Sequence, residues 1–146
     1  MRKRISILLS ALLVTGGAVA AVALAKPSVT SVKATLNVAQ EVPKANGAPA
    51  DAGGTFTGSV SGTTFKWKLT FQNLSGKVTA AHIHLGAKGK AGAVLLALCG
   101  AGCQSPVSGA ALVSSTVANA IKAGKTYVNV HTAKNPNGEI RGQIRH

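Results

Sequence analysis

The sequence predicts an all-β fold: an antiparallel β-sandwich or barrel of about seven to eight strands with one short helix. Three observations carry this prediction. Apolar and polar residues alternate with a period of two in several short stretches. Turn signals such as Ser61-Gly62 and Asn135-Pro136-Asn137-Gly138 separate those stretches. Only one segment, between Ser114 and Gly124, carries a helical pattern.

The elements follow in order. Residues 1–25 read as a signal peptide, with Arg2-Lys3-Arg4 as the basic n-region and residues 5–25 free of charge. Ala23-Leu24-Ala25 offers small residues at a cleavage site, so the mature chain starts at Lys26. The alternative is an uncleaved anchor, because about 20 apolar residues span a bilayer. Residues 26–31 are a tether, and residues 32–146 form the folded domain. Val32, Ala34, Leu36 and Val38 point inward from a first strand. Residues 41–54 are rich in Pro, Ala, Gly and Asn and read as a loop, and residues 54–60 as a Thr- and Gly-rich strand. The strongest strand places Phe65, Trp67, Leu69 and Phe71 on one face and Lys66, Lys68 and Thr70 on the other, which makes it the anchor of the core.

Two further strands carry three of the four histidines. In Ala80-Ala81-His82-Ile83-His84-Leu85, His82 and His84 oppose Ala81, Ile83 and Leu85. In Tyr127-Val128-Asn129-Val130-His131-Thr132, Tyr127, Asn129 and His131 oppose Val128 and Val130. Between them, residues 86–92 form a glycine-rich loop, and residues 93–98 read as a strand covered on both sides or the end of one. Residues 105–109 are irregular. Ser114 or Ser115 caps a helix that runs through Lys122-Ala123 with Gly124 beyond its end. A last strand sets Ile140, Gly142 and Ile144 against Glu139, Arg141, Gln143 and Arg145.

Composition narrows the function. The chain has 16 Lys and Arg against 3 Asp and Glu, a net charge of +13. Removing Arg2, Lys3 and Arg4 leaves +10 on the mature part. Such a charge attracts acidic cell-surface polymers. The lysines are scattered and aromatics few, so nucleic acid is not the expected partner, and no second apolar stretch crosses a membrane once the signal is cleaved. Cys99 and Cys103 flank Gly100-Ala101-Gly102, a loop flexible enough to close as a disulfide in a secreted, periplasmic or cell-surface protein.

No catalytic residues are assigned. No serine sits in a Gly-x-Ser-x-Gly elbow, no phosphate loop or dinucleotide fingerprint is present, and nothing pairs two of Glu41, Asp51 and Glu139 for acid–base work. The candidate ligands are His82, His84 and His131, since neutral imidazole suits copper and zinc. The structural alternative is that these rings hydrogen-bond loop backbone and hold their face together.

Several motifs resemble the CHRD family, the domain first described in chordin. They are Gln40-Glu41-Val42-Pro43, Leu74-Ser75-Gly76-Lys77-Val78-Thr79-Ala80-Ala81-His82-Ile83-His84, residues 123–132, and Asn135-Pro136-Asn137-Gly138-Glu139-Ile140-Arg141-Gly142-Gln143. The resemblance implies an exported β-sandwich acting as a binding or structural module, without a defined activity and with an extracellular partner it does not name. A weaker resemblance to copper/zinc superoxide dismutases implies a copper site at His82, His84 and His131, with Arg141 as an anion guide. The departures are plain: no histidine lies between His84 and His131, and no acidic residue between Gly86 and Gly138. The bridging ligand and the zinc set of that family have no counterpart.

Overall fold

The protein is described by a computed structural model covering residues 28–146. The expected signal peptide lies outside the described residues. Eight strands form one antiparallel sheet: β1 (Val29–Asn37), β2 (Gly53–Ser61), β3 (Thr64–Gln72), β4 (Val78–Leu85), β5 (Val94–Cys99), β6 (Val107–Leu112), β7 (Thr126–Thr132) and β8 (Ile140–Gln143). Their order across the sheet is β5-β4-β7-β8-β1-β2-β3-β6. The two outermost strands approach each other, so the sheet curls into a nearly closed barrel. Among the described residues one α-helix, α1 (Ser115–Lys122), connects β6 to β7, and a single 3-10 turn, Val38–Gln40, follows β1. No helix among the described residues is long and apolar enough to cross a membrane.

The alternation read from the sequence builds the interior. Val32, Ala34 and Leu36 of β1, Phe65 and Leu69 of β3, Ala81 and Ile83 of β4, and Val128 and Val130 of β7 are buried in one cluster. β2 and β3 pair over their whole length, from Gly53 opposite Gln72 to Ser61 opposite Thr64. Phe56 and Phe65 bring their ring centroids within 6.3 Å across this hairpin. The helix is capped as its sequence predicts: Ser114 accepts from Val117 N–H, and Gly124 follows at φ +67°. Ala118 and Ile121 are the residues it buries.

The structure corrects three readings. β1 begins at Val29, so the last residues of the expected tether are strand. The apolar run after residue 93 is the edge strand β5, with only Leu98 buried and Val94 54% exposed, because it ends the strand order and pairs, among the described residues, with β4 alone. Residues 107–112, read as irregular at their start, form β6, paired with β3 from Val107 opposite Leu69 to Leu112 opposite Thr64. Its outward positions include Ala110 and Leu112, so it lacks the polar alternation that marks a strand. Cys99 and Cys103 are bridged, as the sequence predicts, where the chain passes from β5 toward β6.

The feature that positions the site is the second face of β4, β7 and β8. All seven residues of β7 and all four of β8 are buried. One face packs into the barrel. The other carries polar side chains and lies beneath residues 86–92 and the segment around Glu41. Such a polar layer is stable only where its groups find partners.

Candidate metal centre

β4 and β7 are neighbours, with His82 opposite Asn129, His84 opposite Tyr127, and Ala80 opposite His131. Residues directly opposite share a face. Strand parity and register therefore converge His82, His84 and His131 on one patch. One ligand nitrogen from each ring lies within 4.8 Å of the others. His84 and His131 are each 8% exposed, and His82 is half-buried.

Backbone carbonyls orient two of the rings. His84 Nδ1 lies 2.9 Å from Gly92 O, and His131 Nδ1 lies 2.9 Å from Pro136 O. A carbonyl only accepts, so each Nδ1 carries the proton and each Nε2 keeps its lone pair. This is the arrangement by which outer contacts fix the tautomer of a metal-binding histidine. His131 Nε2 meets His82 Nδ1 at 3.0 Å, a bond in which His82 donates. His84 Nε2 is buried and has no partner.

The distances suit one ion. With metal–nitrogen bonds of about 2.0–2.1 Å, the 3.0 Å between His82 Nδ1 and His131 Nε2 subtends roughly 90°. Two such bonds span at most roughly 4.2 Å, so separations up to 4.8 Å require one ring to shift by a few tenths of an ångström. His82 is the ring free to do so, since its nitrogens contact no carbonyl. Burial holds the His82 pKa below its ordinary value, and His131 and His84 add to the effect. Burial also lowers His131, against the opposing Pro136 hydrogen bond. Both shifts favour the neutral ring, the form able to ligate a metal.

Several supporting residues went unread in the sequence. The Tyr127 ring stacks on His84 at 4.9 Å and 8°, and its hydroxyl accepts from Gly92 N–H at 3.2 Å. Gly92 lies so close to β4 that a Cβ there would fall 1.7 Å from Leu85 O, so only glycine brings this carbonyl to His84. Arg141, which the sequence resemblance did single out as an anion guide, is buried, with Cζ 3.4 Å from the centre of the Tyr127 ring. Its Nη2 donates to Ala87 O at 3.0 Å and Lys90 O at 2.9 Å, tying the 86–92 loop down, while Nη1 has no partner. Gln143 Nε2 donates to Gly86 O at 2.9 Å. The cue for these contacts was the glycine-rich loop beside two polar-faced strands.

Glu41 closes the other end of this layer. It is 2% exposed, and its pKa is raised to about 7 by burial, against opposing contributions from Val42 N–H, Arg141 and Asn129. Oε1 accepts from Val42 N–H at 3.0 Å, while Oε2 lies toward the Asn129 amide without hydrogen-bond geometry. Gly138, at φ +126°, leaves room for that carboxylate, which a Cβ would meet at 2.5 Å. Cys99 and Cys103 are bridged and pack against the hydrophobic core, and His146 bonds the Lys122 carbonyl, so none of the three joins the cluster.

No curated protein and no solved structure matches the chain. The resemblance to copper/zinc superoxide dismutases remains one of histidine order in the sequence. The family model described as CHRD domain matches residues 32–144, from the first inward residue of β1 to the end of the sheet. The chain belongs to the CHRD family.

Proposed function

We propose that this CHRD domain is an exported binding module whose ligand is a single divalent transition-metal ion, copper or zinc, held by His82, His84 and His131. The observation that carries the reading is His84 Nε2, buried without a hydrogen-bond partner and grouped with the other two ring nitrogens. A purely structural cluster would be expected to satisfy this atom, because an unpaired buried acceptor costs about 1–3 kcal/mol. His82 and His131 can satisfy each other; His84 Nε2 needs a further group. A metal ion meets that need, and an all-imidazole set favours copper and zinc over magnesium or calcium.

Three protein ligands leave a fourth position for water or a small anion. The partnerless Nη1 of Arg141 supports the anion role for that residue. Export is supported by the leader and by the Cys99–Cys103 bridge, which suits an oxidising compartment. No catalytic step is assigned.

Calorimetry with Cu(II) and Zn(II) on the purified protein tests the reading. One equivalent should bind, and His84→Ala should weaken binding by about 100-fold or more, while His146→Ala leaves it unchanged. Equal affinities in the two variants would remove the site.

A further inference from the structure

A cleft on the described surface lies apart from His82, His84 and His131. It has a volume of about 790 Å³ between residues 85–88, residues 123–125 and the end of the chain. Lys88, Lys125, Arg145 and His146 line it, and no acidic residue does. Its floor is apolar and small, from Leu85, Ala87 and Ala123, with Leu85 45% exposed. A second cleft of about 480 Å³ shares Arg145 and His146 and continues to Lys33, again without a carboxylate side chain. The two clefts form one basic track.

The register adds an independent observation. Lys33 of β1 pairs directly with Arg145, through backbone hydrogen bonds of 2.7 and 2.9 Å. Both side chains are exposed and share a face. Like charges directly opposite each other destabilise an antiparallel pair. The chain's three carboxylate side chains do not relieve them: Glu41 and Glu139 are buried elsewhere, and Asp51 accepts from Asn73. An external anion at this junction would offset the like-charge pair.

The geometry points to a binding site for a linear polyanion along Lys88, Lys125, Arg145, His146 and Lys33. The track runs through two clefts that share Arg145 and His146, and its basic residues come from separate segments. That arrangement matches charges repeated along a chain better than one compact anion. The shared chemistry is a repeated phosphate or carboxylate on a flexible polymer, and the site stands independently of the metal reading.

Fluorescence anisotropy with labelled linear polyphosphate tests this on the full chain. The triple variant Lys88→Gln/Lys125→Gln/Arg145→Gln should bind roughly 10- to 100-fold more weakly and lose about two from the log–log salt slope. The control Lys66→Gln/Lys68→Gln/Lys77→Gln removes the same charge elsewhere and should retain binding. Equal losses in both would reduce the effect to net charge and overturn the site. Lys88→Gln alone, in an exposed loop, provides a variant that keeps the fold and should still weaken binding. Orthophosphate competing as well as the polymer, per molecule, would overturn the linear reading. Labelled poly-L-glutamate of matched length separates the two sources: binding to either or both supports the site, and binding to neither polymer overturns it.

Discussion

Glu139 and Glu41 show how differently two buried carboxylates of one chain are treated. Glu139 accepts from Ser75 N–H at 2.6 Å, Ser75 Oγ at 2.5 Å, Thr132 Oγ1 at 2.6 Å and Asn135 Nδ2 at 3.0 Å. Burial alone would raise its pKa, but these donors together lower it below 4.5. The contribution is complete above the unfolded value and is lost as pH falls through the folded one. Glu139→Gln should therefore cost about 2–3 kcal/mol at pH 7, read by urea unfolding, with the gap to wild type closing below pH 4.5. Glu41 has the opposite sign. Its raised pKa means that folding favours the protonated form, so stability falls as pH rises from 4.5 to about 7. A shift of that size corresponds to at most about 3.5 kcal/mol. Glu41→Gln keeps the acceptor for Val42 N–H and removes the charge. It should be more stable than wild type at pH 8 and no more stable at pH 4; an advantage unchanged between the two would contradict the burial account.

At the scale of elements, the histidine strands were legible because β4 and β7 alternate cleanly. Parity put His82, His84 and His131 opposite the aliphatic residues, and the observed register supplied the convergence. Residues 86–92 were legible only as a loop. Their function as a cover depends on Ala87 O, Lys90 O and Gly92 O reaching Arg141 and His84, contacts between distant parts of the chain that no local pattern encodes. β6 was missed for a related reason, since Ala110 and Leu112 face outward and erase the period of two. The cover also explains why Tyr127 matters. Its hydroxyl holds Gly92 N–H, and Gly92 O holds His84. Tyr127→Phe keeps the ring stack and loses that anchor. It should reduce metal affinity by about 10-fold while leaving the unfolding midpoint of the metal-free protein within a few degrees. An unchanged affinity would mean that the loop holds His84 without it.

On the whole-molecule scale, the barrel separates two kinds of surface. The covered polar face carries the histidines, and the edge near the chain's end carries the basic track. The sequence's excess of cations over carboxylates raises an acidic polymer only as one expectation. Its location needed the fold, because Lys33 and Arg145 meet only through β1 and the end of the chain. Metal loading should act on the whole fold, since an ion that binds only the folded state stabilises it by about 2.7 kcal/mol at 100 times its Kd. The central claim concerns three particular nitrogens. Long-range ¹H–¹⁵N correlation of the zinc-titrated protein reads each imidazole nitrogen separately. The account predicts that His84 Nε2, His131 Nε2 and His82 Nδ1 move together to metal-bound shifts at one equivalent, while His84 Nδ1 and His131 Nδ1 stay protonated on Gly92 O and Pro136 O. Imidazole shifts that stay unmoved at saturating zinc, or move only at His146, would contradict it.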